Sequence, residues 1–179
     1  MMSLLTQLLG IIAWILITIS YWQKKKINLL IIQLIAYLLY ALHFYLLDGL
    51  SGALCNLAGI IILFLLYIKE KKNKPMYILI PIIIAIFIPI IIYSYDGLYS
   101  MLPVVASIIP LTANWVKKMS IIKIGGIIGS ICWLIYAVFT KSYASMITEV
   151  IFITSTLISL NKTKEEIKWK SLMKWLMKK

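Results

Sequence analysis

Tyr40-Ala-Leu-His43-Phe-Tyr-Leu-Leu-Asp48-Gly-Leu-Ser-Gly52-Ala-Leu-Cys55-Asn56 is the stretch on which the reading of this chain turns. It lies inside apolar sequence, yet it carries a histidine, an aspartate, two glycines and an asparagine. Shifted by 93 positions without a gap, the chain runs from Trp133 to Glu149. Tyr40 then falls on Trp133, His43 on Tyr136 and Asn56 on Glu149. In each copy an aromatic residue precedes a polar one by 16 positions, and we read the two stretches as halves of one site.

Composition sets the class. Hydrophobic residues make up 63% of the chain, charged residues 13%, and the mean hydropathy is +0.99. Such a chain is a membrane protein rather than a soluble domain. A net charge of +12 comes from lysines alone, confined to stretches between or beyond the apolar runs and to a C-terminal tail. There they act as anchors against a bilayer, which is why a nucleic-acid partner is not expected. The absence of arginine points the same way, because arginine is the residue that reads phosphates and bases in a bidentate manner. Cys55 and Cys132 lie in apolar runs without ligand-spaced neighbours and read as small packing residues. No basic segment precedes the first apolar run, which therefore reads as a retained span rather than a signal peptide.

A hydrocarbon core of ~30 Å takes about 20 apolar residues per helix. On that measure the chain divides into seven spans: 4–21, 27–47, 50–68, 76–93, 98–116, 121–140 and 143–160. The connections alternate in charge. Lys24 to Lys26, Lys69 to Lys74, Lys117 with Lys118, and Lys162 onward fall on one side. Asp48, Asp96 and the single Lys141 fall on the other. Lys123 joins the lysine-rich side by snorkelling from the first turn of its span. Positive loops face the cytoplasm, so the N-terminus is expected outside and the C-terminus inside.

The offset of 93 maps spans one to three onto spans five to seven. Leu9 falls on Leu102, Ala13 on Ala106, Ile15 on Ile108, Trp22 on Trp115, and Lys24-Lys25 on Lys117-Lys118. Span four is a linker, and three spans plus one restore the starting side. The expected fold is thus an all-α membrane protein of seven transmembrane helices, in which two parallel three-helix repeats (3+1+3) are related by an axis along the membrane normal. Its parts are 1–68 (first repeat), 69–97 (linker with the fourth helix), 98–161 (second repeat) and 162–179 (tail). In the tail, lysines alternate with Ile167, Trp169, Leu172, Trp175 and Leu176. That pattern reads as an amphipathic cytoplasmic helix on an anionic surface, or as a partner-binding segment.

Glu149 is the only acidic residue placed well within a span. A carboxylate there needs a partner, a bound cation, water or a proton. It either bonds to a neighbouring helix or serves a substrate or a proton. At 1.5 Å per residue, Tyr40 lies roughly 10 Å and Asn56 roughly 9 Å below the outer ends of their helices, with Trp133 and Glu149 at the same level. An aromatic wall with a few placed polar groups holds small polar ligands. His43 lies a turn nearer the outer surface, as an interface residue or as a gate or proton relay. Asn114, with Gln33, Thr112 and Thr148, either lines the cavity or bonds between helices. Pro103, Pro110, Gly125, Gly126 and Gly129 permit kinking and close helix approach. With one histidine, no paired nucleophile and no phosphate loop, neither an enzyme nor a cofactor or metal site is expected.

At these residues the chain resembles known families. The 3+1+3 arrangement resembles the SWEET sugar transporters and the wider PQ-loop families. In those, each triple-helix unit gives a tryptophan from its second helix and an asparagine from its third to a central site. The corresponding positions here are Tyr40, Asn56, Trp133 and Glu149. Leu42-His43-Phe44-Tyr45-Leu46-Leu47-Asp48-Gly49, followed by Gly52-Ala53 and Asn56, is similar to the His-Phe-x-Leu-Leu-Gly segment of the bacterial inner-membrane YgjV family. This chain departs from the PQ-loop pattern, since its first span has no proline and Pro110 is not followed by glutamine. The resemblance implies a multi-pass protein of the bacterial cytoplasmic (inner) membrane. It further implies that the protein moves a small polar solute, sugar-like or hydroxylated, cationic or proton-coupled, by alternating access. The alternative is a membrane receptor or assembly factor on the same scaffold that does not transport. Beyond the solute, the expected partner is the lipid bilayer; the residues do not define an oligomeric state.

The orientation is testable by labelling single cysteines in intact cells, with Cys55 and Cys132 replaced by alanine. Asp96→Cys should react with a membrane-impermeant maleimide and Lys118→Cys should react only after lysis; the reverse pattern contradicts the assignment.

Overall fold

A computed structural model describes residues 4–46, 50–73, 79–94, 101–139 and 143–176. Residues 47–49, 95–100 and 140–142, where the outer connections were expected, lie outside the described residues. The described residues form seven helices and no strand. These are α1 (Leu4–Ser20), α2 (Lys26–Leu46), α3 (Leu50–Lys72), α4 (Leu79–Ser94), α5 (Leu102–Ala113), α6 (Met119–Phe139) and α7 (Tyr143–Leu176). Lys26–Leu46, Gly52–Lys72 and Met119–Tyr136 are long and apolar enough to cross a membrane. The apolar stretches Leu8–Ser20, Pro81–Tyr93 and Leu102–Ala113 are shorter.

Local chemistry sets the helix ends. α1 closes with tightened turns, Tyr21 N–H to Thr18 O at 3.3 Å and Trp22 N–H to Ile19 O at 3.1 Å. Such i→i−3 bonds satisfy carbonyls that an α-helix end leaves open. α5 closes in the same way 93 positions later, with Trp115 N–H bonded to Thr112 O at 3.0 Å and Val116 N–H to Ala113 O at 3.3 Å. This is why α5 stops at Ala113, short of the expected 116. Pro103 occupies its first turn, where a missing N–H costs nothing. Asn73 ends α3 with φ 49°, a left-handed value that asparagine tolerates. α7 departs from expectation by running unbroken through the basic tail to Leu176. No glycine or proline interrupts residues 161–176, so the helix has no stop signal there.

The outside of the bundle is apolar. Ile11, Ile15 and Ile19 on α1, Ile31, Ile35 and Leu38 on α2, and Ile124, Ile128, Ile131 and Ile135 on α6 are all exposed. A soluble bundle would place polar side chains there, whereas a lipid-facing surface carries this kind of stripe. The core gathers Leu29 and Leu30 of α2, Ile62, Leu63 and Leu66 of α3, Phe87 of α4, Leu111 of α5 and Ile122 of α6.

α2 packs against α1 and α3, and α6 packs against α5 and α7. The two triplets meet where α3 touches α5 and where α1 touches α7. α4 lies against α3 and, more lightly, α5. The lysine-bearing ends of α2, α3, α5–α6 and α7 come together at one end of the bundle. There Lys26 pairs with Glu70 at 3.0 Å, Lys117 donates to Asn73, and Lys123 donates to Thr163 at 2.7 Å. Two contacts across the triplets share a pattern. The Lys69 ammonium lies 5.4 Å from the Trp115 ring centroid, and that of Lys162 lies 4.9 Å from the Trp22 ring. Lys162 is Lys69 shifted by 93, and Trp115 is Trp22 shifted by 93.

Close helix approach is bought by glycine. A Cβ at Gly126 on α6 would strike the Tyr21 ring, and one at Gly59 on α3 would strike the Tyr37 ring. Tyr21 is 3% exposed and stands edge-on to Phe152, with ring centroids 5.1 Å apart, so it has nowhere to retreat. Gly126→Ala should therefore destabilise the bundle by about 1–3 kcal/mol, the range for overpacking, although alanine is the better helix former. A lowered thermal midpoint in detergent would show this, and Tyr21→Ala in the same chain should relieve the clash.

Candidate functional site

Four side chains were expected in one layer. At 1.5 Å per residue, Tyr40 on α2 lies roughly 20 Å from Lys26, and Asn56 on α3 roughly 20 Å from Lys69. Trp133 on α6 lies roughly 20 Å from Met119, and Glu149 on α7 roughly 20 Å from Lys162. Level, however, is not contact, and the four are held differently.

Glu149 is half-buried on α7 and faces α6, where the Ser130 hydroxyl donates to its Oε2. Tyr40 and Tyr21 both lie within electrostatic range of the Glu149 carboxylate. Tyr37 lies near both tyrosines, one turn from Tyr40 along α2. Tyr40 also stacks on Phe44, with centroids 6.2 Å apart and planes 27° apart. Asn56 is buried, and its Nδ2 donates to the Gly52 carbonyl of its own helix at 2.8 Å. That bond leaves the Oδ1 as its open polar group. Trp133 is half-buried and meets Tyr136 edge-on at 6.0 Å. No described contact joins Trp133 to the Tyr40–Glu149 group.

His43 and Asn114 have separate tasks in the geometry. His43 Nδ1 lies 2.7 Å from the Thr6 carbonyl and its ring covers Gly10, so it links α2 to α1. Asn114, 1% exposed at the end of α5, donates from Nδ2 to Gln33 Oε1 at 2.7 Å. The Gln33 side chain is also hydrogen-bonded to the Tyr21 phenol. One buried glutamine thus holds both Tyr21 and Asn114, which are themselves 93 positions apart. Asn114 Oδ1 and Thr156 Oγ1 are buried with no partner of their own. A cleft of about 270 Å³ lies away from this group, between Ile83, Phe87 and Ile91 of α4 and Ile108 and Thr112 of α5.

Residues 4–167 match the family model of Imp-YgjV, described as a bacterial inner membrane protein. The chain belongs to this family. Neither a curated protein nor a solved structure matches it. Membership makes it a membrane protein of an inner-membrane family, in keeping with its apolar exterior.

Sequence reasoning missed Ser130, Tyr37 and Tyr21 as neighbours of the site. A signal was present: Ser130 is Tyr37 shifted by 93, and each stands 19 positions before its polar partner position, Glu149 or Asn56. Interhelical hydrogen bonds in bilayers couple by about 0.6 kcal/mol on average and up to roughly 1.7. A double-mutant cycle with Gln33→Leu and Asn114→Leu, read by unfolding in mixed micelles, should give a coupling in the upper part of that range. Both groups are buried and would otherwise lose their partner.

Proposed function

We propose that the protein is a transporter of a small polar solute, working by alternating access between two three-helix units, α1–α3 and α5–α7, with α4 as linker. The observation that carries the proposal is the Glu149 carboxylate. It is held inside an apolar bundle by Ser130, lies within electrostatic range of Tyr40 and Tyr21, and is paired with no described lysine. A carboxylate at that depth needs a partner, a proton or a bound cation, and the Ser130 hydroxyl supplies only one hydrogen bond. Tyr40 offers an aromatic face and a hydroxyl, and Asn56 offers an amide oxygen. Together with Glu149 they suit a solute with hydroxyl groups and a cationic or proton-bearing end.

The two-unit reading is supported by contacts that recur when both partners are shifted by 93. Lys69–Trp115 and Lys162–Trp22 are one such pair. Tyr21 on Gly126 and Asn114 on Gln33 are another, because Asn114 corresponds to Tyr21 and Gly126 to Gln33. In the second pair the sizes are exchanged, a large side chain facing a small one on one side and two medium ones meeting on the other. The α3–α5 and α1–α7 seams are likewise exchanged by that shift. A two-fold axis along the membrane normal relates parallel repeats in this way and leaves a site on the axis.

Purified protein in liposomes, offered labelled sugars, polyols and amines with and without an inward proton gradient, tests the proposal. At least one solute should accumulate, and Glu149→Gln should reduce that uptake by about ten-fold or more, as for loss of one charge-assisted hydrogen bond. The same solute should raise the thermal midpoint of the wild type and not of the variant. No uptake across the panel, or equal uptake by Glu149→Gln, contradicts it.

A further inference from the structure

Helices in a bilayer approach closely where small residues meet. α5 and α6 do so: a Cβ at Gly125 would strike Ala113, and one at Gly129 would strike the Ala106 carbonyl. α4 has no glycine in Leu79–Ser94, and it meets α5 with isoleucine and phenylalanine side chains. It therefore stands off from α5, touching that helix lightly and lying more fully against α3. The cleft of about 270 Å³ is the space left between α4 and α5.

Its walls and its place in the bundle decide what fits. Thr112 is the one lining residue with a polar side chain, and its hydroxyl is bonded back to the Ile108 and Ile109 carbonyls at 2.9 Å. The cleft thus offers hydrocarbon contact, which suits an acyl chain and not a hydrated polar solute. Ile84 and Ile88, which also line it, are exposed, so it opens to the lipid side. From Ile83 to Ile91 it runs roughly 12 Å along α4. Thr112 lies one residue before α5 ends, which sets one end of the cleft at the lysine-rich end of the bundle. There Lys71 and Lys72 at the end of α3, and Lys117 and Lys118 just past α5, are exposed. Lys117, bonded to Asn73, ties these two helix ends together. The acid among them, Glu70, is already paired with Lys26 at 3.0 Å.

We propose that the α4–α5 cleft is a binding site for an anionic phospholipid of the leaflet at the lysine-rich end. One acyl chain lies in the cleft, and the phosphate rests on the lysines that end α3 and follow α5. Basic side chains between helices at the cytoplasmic side hold lipid headgroups in this way. Charge decides the occupant. A neutral lipid would fill the same apolar space and leave four exposed ammonium groups uncompensated, and a second copy of this chain would bring its own lysines to the same level. The site is separate from the Glu149 carboxylate and does not depend on transport.

Native mass spectrometry of the full chain in detergent, titrated with dioleoyl phosphatidylglycerol or dioleoyl phosphatidylcholine, tests the proposal. The first phosphatidylglycerol should bind about five-fold or more tighter than the first phosphatidylcholine, and Lys118→Gln should weaken it about five-fold. Thr112→Trp and Ile84→Trp, at exposed positions on facing walls, should each weaken it at least as much by filling the cleft. Lys25→Gln, which removes an exposed lysine between α1 and α2, should leave it unchanged. Equal binding of the two lipids overturns the proposal, as does equal weakening by Lys25→Gln and Lys118→Gln, which would mean attraction to the surface charge as a whole. Unchanged binding in both tryptophan variants overturns it too. So does a dimer that Thr112→Trp abolishes, which would make a second copy the occupant.

Discussion

Gln33 is the constraint around which the bundle is arranged. Its amide lies 2% exposed among apolar side chains and is hydrogen-bonded to the Tyr21 phenol and to Asn114 Nδ2. An apolar medium offers no water to replace those partners, so all three groups must be brought together or left unsatisfied at a cost of about 1–3 kcal/mol each. Satisfying them brings the end of α1 and the end of α5 to one side chain of α2. The Tyr21 ring then needs room on α6, and Gly126 supplies it. The position of α6 in turn sets Ser130 against Glu149 on α7. A single polar contact near the lysine-rich end is therefore linked, helix by helix, to the carboxylate of the candidate site.

The polar inventory divides by task. Buried lysines close helix ends, as Lys69 does at the Trp115 carbonyl, and their role is structural at least in part. Serines and threonines mostly bond back to carbonyls of their own helices, as Thr18 does to Trp14 and Ser107 to Pro103. Such bonds take up the hydroxyl's one proton and leave its oxygen as an acceptor, as Thr163 shows by accepting from Lys123. Glu149 differs, because its single described hydrogen bond leaves a second carboxylate oxygen open. In the function proposed above, that open oxygen is the group offered to a solute or a proton.

The helices were legible in the sequence because bilayer-length apolar runs and lysine clusters mark their limits with little interference from tertiary packing. Six of the seven expected spans begin and end within about four residues of the observed helices. α7 was misjudged at its C-terminal end, since charge was read as a stop although nothing in Asn161 to Leu176 breaks a helix. Counting residues along a helix assigns a height but no direction. A helix offers the same height to several rotations, and a one-residue step turns a side chain by about 100°. Trp133, counted to the same height as Tyr40, meets Tyr136 edge-on, and no described contact joins it to Tyr40. His43 and Asn114 were read as possible lining residues, and both bond across helices, to the Thr6 carbonyl and to Gln33. The size exchange between Tyr21–Gly126 and Gln33–Asn114 was invisible as residue similarity, because complementary pairs conserve volume and not identity.

The central claim is that two three-helix units face each other with equivalent contacts on both sides. Chemical bridging in native membranes tests it most directly, with cysteine pairs 22/162 and 69/115 and a short bis-methanethiosulfonate linker. The account predicts that both pairs are bridged while the crossed pairs 22/69 and 115/162 are not. Bridging of the crossed pairs, or of neither direct pair, would contradict it.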